Sequence, residues 1–181
     1  MSPGRFVPAC GKPMGFDMNY EIALAEPADA QGIASMSERL IEYGLPLSWD
    51  VPRVVRHMRR RDSIVIKAVG RDSGRDADAL LGFAIMNFQQ DAAHLSLLAV
   101  EPDCRRRKIG RGLLAWLEET AVTAGTFFIS LEVRTRNTAA QHFYRTLGYD
   151  EMDRVVGYYS GIEDAVLFAR DLRVYTTENF D

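Results

Sequence analysis

The stretch Leu95-Ser-Leu-Leu-Ala-Val-Glu-Pro-Asp-Cys-Arg-Arg-Arg-Lys-Ile-Gly-Arg-Gly-Leu-Leu114 limits the fold more than any other part of the chain. Its apolar beginning reads as a buried strand, here expected over His94–Val100. Leu113, Leu114, Leu117 and Ala121 then recur at helical spacing, so a short loop leads into a helix over 110–124. A buried strand that feeds straight into a helix belongs to a layered fold, with helices covering a sheet. The junction has chemistry of its own. Gly110 and Gly112 clear side chains from the helix start, where free backbone N–H groups and the positive end of the helix dipole favour an anion, above all a phosphate. Five of the seven residues from Arg105 to Arg111 are basic: Arg105, Arg106, Arg107, Lys108 and Arg111. There is no GK[ST] and no GxGxxG with a downstream acid, which excludes two common nucleotide-phosphate loops. Two glycines and some arginines also describe an ordinary solvated turn.

The whole-chain charge conceals this local cluster. Against 25 Asp+Glu the 181 residues carry 22 Lys+Arg, a net charge of −3. That balance argues against a dedicated nucleic-acid protein. The run Arg53, Arg56, Arg59, Arg60 and Arg61 reads more simply as a solvated helix face. With 47% hydrophobic and 26% charged residues the chain is globular in composition, and its length suits one domain. No apolar run approaches the ~20 residues of a membrane span, and the start lacks the core of a secretory signal. Cys10 and Cys104 show no CxxC spacing, and His57, His94 and His142 are scattered, so no metal site is expected. Reduced thiols without an export signal point to a cytoplasmic protein.

Residues 1–18, broken by Pro3, Gly4, Pro8, Gly11, Pro13 and Gly15, read as a flexible extension. A single domain over 19–175 follows, with a tail at 176–181. Tyr20–Leu24 alternates like an edge strand. A helix starting at Glu26–Asp29 carries Ile33, Met36, Leu40 and Ile41 on one stripe, and Asp50 with Pro52 opens a second. Further strands are expected at 63–69, 80–86, 127–134, 155–160 and 165–172, with a polar hairpin loop from Gly70 to Asp78. A helix over 138–147 stops at Gly148. The order β-α-α-β-β-β-α-β-α-β-β predicts an α/β (α+β) fold: a mixed, mostly antiparallel central sheet of about seven strands flanked by helices.

A second constellation runs from Leu131 to Tyr149. Period-two reading puts Phe127, Ile129, Leu131 and Val133 on one strand face and Phe128, Ser130, Glu132 and Arg134 on the other. Glu132 is thus a carboxylate on a central strand, either ion-paired with Arg134 or another arginine, or available for proton transfer. Tyr144 stands beside the helical stripe of Ala140, Phe143 and Leu147, where packing is the commoner role.

These segments together resemble the GNAT acetyltransferase superfamily. Arg107-Lys-Ile-Gly-Arg-Gly112 matches its [Q/R]-x-x-G-x-[G/A] signature. Leu131–Tyr149 matches an L-E-V-R-x-x-N-x-x-A-x-x-x-Y-x-x-x-G-[F/Y] run of ribosomal-protein alanine N-acetyltransferases and related N-terminal acetyltransferases. Arg154–Ala165 resembles an R-x-x-x-Y-Y…E-D-A segment of the same enzymes. The resemblance implies the GNAT fold and acetyl-CoA as co-substrate. It implies that the pyrophosphate is held by residues Arg105, Arg106, Arg107, Lys108, Ile109, Gly110, Arg111 and Gly112. The pantetheine arm then pairs with Leu98, Ala99 and Val100, and Asn137 and Phe143 complete the cofactor site. Glu132 becomes the general base and Tyr144 the group that protonates the leaving thiolate, by direct attack of the amine in a ternary complex. Trp49, in a loop loosely similar to a P-W-S turn, and Tyr158 with Tyr159 would meet the acceptor. The chain departs at Arg106 and Lys108, positions commonly glycine, which implies an altered loop stiffness rather than loss of the site. The implied acceptor is a primary amine: a protein N-terminus, with a lysine or a small amine (a polyamine or antibiotic) as alternatives. A non-catalytic acyl-CoA-binding module is the competing class. A covalent route through Cys104 has no histidine placed to serve it. His94 is a weaker substitute base, and His142 lies roughly 200° round the helix from Tyr144.

Overall fold

The computed structural model describes residues 20–71 and 78–175. The expected extension over 1–18, most of the polar loop after Gly70 and the tail at 176–181 lie outside the described residues. Seven strands and four α-helices follow in the expected order: β1 (Tyr20–Leu24), α1 (Ala30–Leu40), α2 (Val51–Arg59), β2 (Ser63–Gly70), β3 (Leu80–Phe88), β4 (Ala92–Val100), α3 (Ile109–Thr123), β5 (Phe128–Arg134), α4 (Thr138–Thr146), β6 (Asp150–Tyr159) and β7 (Glu163–Asp171). They build one sheet in the order β1-β2-β3-β4-β5-β7-β6, antiparallel except between β4 and β5. The Asp50 side chain caps α2 by accepting from the Arg53 N–H at 2.8 Å, and Gly148 leaves α4 at φ 82°, both as their residue types predict. β6 starts five residues earlier than expected. Its first residues are polar and exposed along the sheet edge, so no alternation marks them.

The core has two halves, one on each face of the sheet. Leu113, Leu114 and Leu117 of α3 pack with Ile66, Met86, Leu95, Leu131 and Phe168 on one side. Ile33 and Met36 of α1 and Val54 of α2 pack with Val65, Phe83, Ile85 and Leu97 on the other. Each such side chain contributes about 1.5–3 kcal/mol by leaving water.

Strand β4 belongs to both halves in an unusual way. Ala93 and Leu95 join the α3 side, whereas Leu97 and Ala99 join the α1 side. The register explains the switch: Met86 faces Leu95 but Ile85 faces Leu97, so Ser96 is an extra residue in a β-bulge. Because both faces are covered, the burial pattern alternates through the bulge without revealing it.

Beyond the bulge the sheet opens. The parallel β4–β5 pairing covers only Ala92–Phe128, Ala93–Ile129 and His94–Ser130. β4 continues beside β3 to Val100, and β5 beside β7 to Arg134. Two strand edges therefore diverge from a point next to His94 and Ser130, leaving a wedge in the centre of the sheet.

Candidate active site

The first wall of the wedge is the start of α3. Its first intrahelical bond runs from the Gly112 N–H to the Lys108 carbonyl at 2.9 Å, so the N–H groups of Ile109, Gly110 and Arg111 precede it. No side chain caps this end, unlike α2 and α4, whose caps are Asp50 and Asn137, and its first turn holds no acid. Arg106 and Lys108 adopt φ of 64° and 65°, conformations that cost a side-chain-bearing residue about 1–2 kcal/mol each. The two positions that depart from the family's glycines are thus the two that require left-handed backbone. The Arg105 Nε donates to the Val100 carbonyl at 3.2 Å, tying the loop to the end of β4.

The two glycines of this turn have different reasons. A Cβ on Gly112 would lie 2.7 Å from the Tyr20 hydroxyl and 3.2 Å from Ile22 Cδ1, so Gly112 lets α3 approach β1. It is not a phosphate contact by necessity of space. A Cβ on Gly110 would meet Phe143 at 3.5 Å and Val100 at 3.6 Å, ordinary contacts that the fold tolerates. Gly110→Ala is therefore expected to keep the melting temperature while weakening CoA binding about tenfold, or ~1.4 kcal/mol. In Gly112→Ala, about 1–3 kcal/mol of overpacking is partly offset by about 1 kcal/mol of helix preference, leaving a net loss of stability. Thermal melts and calorimetric titration with CoA check both.

Some expected cofactor contacts change in kind. The Ile109 side chain is buried in the core, so only its backbone N–H is available to a ligand. Ala99 is likewise core-facing, while Leu98 and Val100 are half-buried on the α3 side. Asn137 is the cap of α4: its Oδ1 accepts from the Ala140 N–H at 3.1 Å, which leaves its side-chain NH₂ for other partners. Phe143 packs beside Gly110 and stacks edge-on with Tyr144, ring centres 5.1 Å apart.

At the apex of the wedge sits Glu132. Its Oε2 lies 3.2 Å from His94 Nε2, and the side chains are 16% and 28% exposed. The other imidazole nitrogen, Nδ1, faces the Ser130 hydroxyl at 3.3 Å. Tyr158 of β6 lies beside the same carboxylate, and burial, with the Glu132 charge adding to it, pushes the Tyr158 phenol up to about 12. The expected alternative partner, Arg134, is elsewhere. Its Nε donates to Glu163 of β7 at 2.6 Å, and its Nη1 donates to the carbonyls of Ile41 and Tyr43 at 3.1 and 2.8 Å. Strand spacing separates residues 132 and 134 by about 7 Å, so each finds a partner on a different neighbour.

Tyr144 lies under the site rather than in its mouth. It is 7% exposed and packs against Tyr149 and Phe168 at 5.7 and 6.2 Å between ring centres. Burial, reinforced by Tyr159, holds its phenol well above the ordinary tyrosine range, so it carries its proton throughout the physiological range. Tyr159 stacks on Tyr158 at 5.0 Å and lies 6.0 Å from the Arg134 guanidinium.

Tyr20, Tyr144, Tyr149, Tyr158 and Tyr159 all have raised values, with burial the first cause in each. In the unfolded chain these phenols ionise near ~10, so above that pH the unfolded state releases protons that the folded state retains. The stability they confer is complete below about pH 10 and falls as pH rises toward 12. Melting temperatures from pH 8 to 12 are expected to be level and then to drop steeply above 10.

Trp49 corrects the expected acceptor loop. It is 7% exposed, packed 4.8 Å from the buried His57 ring and under the Arg53 guanidinium at 4.4 Å. The loop carrying it is folded inward by buried Glu42, whose carboxylate accepts from the Ser48 N–H, the Trp49 N–H and the Ser37 and Ser48 hydroxyls. The large apolar side chains this loop does expose are Tyr43 and Leu47. They face solvent, as do Val156, Tyr158 and Ile162 of the β6–β7 hairpin.

Three residues of the site were poorly marked in the sequence. His94 joins Glu132 only because β4 and β5 pair in parallel at their starts. Arg134 and Glu163 join the two acceptor-side loops, and the one available signal was their opposite charge within two matching motifs. His142 is exposed, as its helical angle predicted. A separate groove of about 1000 Å³ lies at the far end of α3, lined by Leu24, Met58, Trp116, Val122 and Leu172, and contains none of these residues. No helix among the described residues is long and apolar enough to cross a membrane.

Comparison with known proteins places these features in context. Residues 22–149 match the family model described as the acetyltransferase (GNAT) family. The ribosomal protein bS18-alanine N-acetyltransferase of Salmonella typhimurium is 40% identical over 95 residues, covering 51% of this chain and 64% of the relative. The crystal structure of the corresponding Escherichia coli enzyme superposes with a TM-score of 0.69 at 27% identity, covering 84% of this chain and 94% of that one. Arabidopsis thaliana NAA60 in complex with acetyl-CoA shares the fold, with a TM-score of 0.75 at 16% identity over 86% of this chain and 99% of that one.

Proposed function

Since the chain belongs to the GNAT acetyltransferase family, we propose that it moves an acetyl group from acetyl-CoA to the α-amine of a protein N-terminus, with 19–175 as its catalytic domain. The observation that carries this reading is Glu132, a carboxylate 3.2 Å from His94 Nε2 at the apex of an opened sheet. It lies between two strand edges that run toward the uncapped start of α3.

Acetyl-CoA fits the residues present. The N–H groups of Ile109, Gly110 and Arg111 and the basic loop suit its phosphates, and the freed edge of β4 suits an amide-bearing arm. When bound, it supplies a thioester whose C–S bond is exchanged for a C–N bond, with release of a thiol and one proton. An ammonium group cannot attack, so a base must first take its proton; Glu132 has the position and the partly open surface to do so. Backbone N–H groups freed at the end of the β4–β5 pairing are suited to polarise a carbonyl oxygen. Tyr144, being firmly protonated, serves best as a hydrogen-bond donor to the departing sulfur, since full transfer to a thiolate near ~8.5 runs uphill.

Two features support a peptide acceptor over a small polycation. The exposed rim carries Tyr43, Leu47, Val156 and Ile162, which suit a peptide side chain. Glu163, the neighbour of Ile162, is already neutralised by Arg134 and Arg136 at 2.6 and 3.0 Å. The named activity of the Salmonella relative points the same way. The test is acetyl-CoA consumption with peptides beginning in Ala or Ser, run beside spermidine and an aminoglycoside. Turnover of a peptide with none of the small amines is expected. Turnover of the small amines alone would move the acceptor class, and CoA binding without any turnover would leave only a binding module.

A further inference from the structure

We propose that His94 is a positioning residue for the Glu132 base, holding its carboxylate from the β4 side. This rests on Glu132 acting as the base. The inference starts from the end of the parallel ladder. His94 and Ser130 are the last paired residues of β4 and β5, and Glu132 is two residues further along β5 on the same face. Past that point β4 and β5 no longer pair, so the β4 side of Glu132 is left to the His94 side chain.

The donor pattern then decides the tautomer. An ionised carboxylate only accepts hydrogen bonds, so a neutral imidazole whose Nε2 lies 3.2 Å from Oε2 is best placed with its proton on Nε2. Nδ1 is then an acceptor, and the partner facing it at 3.3 Å is the Ser130 hydroxyl, which has a proton to donate. The opposite tautomer would set a lone pair of Nε2 against the carboxylate. Ser130, His94 and Glu132 thus stand in a row that ends on the carboxylate. Held from the β4 side, the carboxylate is limited in its rotation. Misplacing a reacting group by 1 Å costs about 100-fold in rate, so this confinement should appear in kcat.

Both a spectroscopic and a kinetic experiment test this. The chain has three histidines, so ¹⁵N-histidine labelling gives a spectrum in which His94→Gln identifies the His94 signals. Without any substrate, His94 is expected to show an unprotonated Nδ1 and a hydrogen-bonded, slowly exchanging Nε2–H proton. That proton should disappear in Glu132→Ala. In the acetylation assay, with whichever acceptor is turned over, His94→Ala is expected to lower kcat about 10- to 100-fold while the KM for acetyl-CoA stays within about twofold. His94→Gln, which keeps an N–H donor, should recover most of that loss. A protonated Nδ1 in the wild type, an Nε2–H signal that survives Glu132→Ala, or equal kcat losses in His94→Ala and His94→Gln would each overturn the proposal. If Glu132→Gln is inactive but His94→Ala is fully active, the role of His94 falls and the base stands. If Glu132→Gln is fully active, the base itself is wrong. The spectrum of the wild type and of His94→Gln decides the matter even if His94→Ala does not fold.

Discussion

Replacing Glu132 by glutamine is expected to lower kcat by about 10²–10⁴-fold, the range a positioned general base contributes. Glutamine keeps the size of the side chain and an oxygen that can still accept from His94, so the wedge should keep its shape. What is lost is the ability to take a proton from an ammonium group. CoA affinity should stay within about twofold, because Glu132 sits at the apex whereas the anion-binding groups are at the start of α3. Steady-state acetylation together with calorimetric CoA titration separates the two quantities. A variant with wild-type kcat would mean that another group, or water alone, accepts the proton.

Arg134→Ala is expected to have the largest effect on stability. The Arg134 and Glu163 side chains are each 11% exposed and 2.6 Å apart, so removing the guanidinium leaves a carboxylate in a poorly solvated place. Breaking a buried pair from one side costs about 3–5 kcal/mol, and the lower end applies here because Arg136 still reaches Glu163 at 3.0 Å. A fall in melting temperature of about 6–12 °C follows for a chain of this size. The same guanidinium also ties the Ile41 and Tyr43 carbonyls to β5, which fixes the loop that exposes Tyr43. The KM for the acceptor should therefore rise more than that for acetyl-CoA. A lowered melting temperature with unchanged acceptor KM would show that the loop keeps its place without the tie.

The reasons that parts of the site escaped sequence reasoning are specific. Helix α3 was legible because its leucines recur at helical spacing and its start carries glycines beside basic residues. The bulge at Ser96 was not legible, because one extra residue in a strand covered on both faces changes no apolar position. Trp49 looked like a recognition residue because its loop is loosely similar to the P-W-S turn of ribosomal-protein acetyltransferases. Glu42, seven residues earlier, turns that loop inward through hydrogen bonds that no spacing rule anticipates. Gly112 also has a packing reason that its motif does not reveal: a Cβ there would crowd the Tyr20 hydroxyl, over ninety positions away.

Local periodicity and turn chemistry determined the order of elements, the uncapped basic entry to α3 and the face on which Glu132 lies, because each depends on residues within a few positions of one another. The stretch from Leu95 to Leu114 forms one edge of the wedge and the start of α3 beside it. The tertiary structure alone decided what surrounds Glu132: His94 from β4, Tyr158 from β6, and Arg134 drawn off to Glu163. Those partners meet only where two parallel strands stop pairing and separate, and the point of separation is set by packing between distant elements rather than by any one segment.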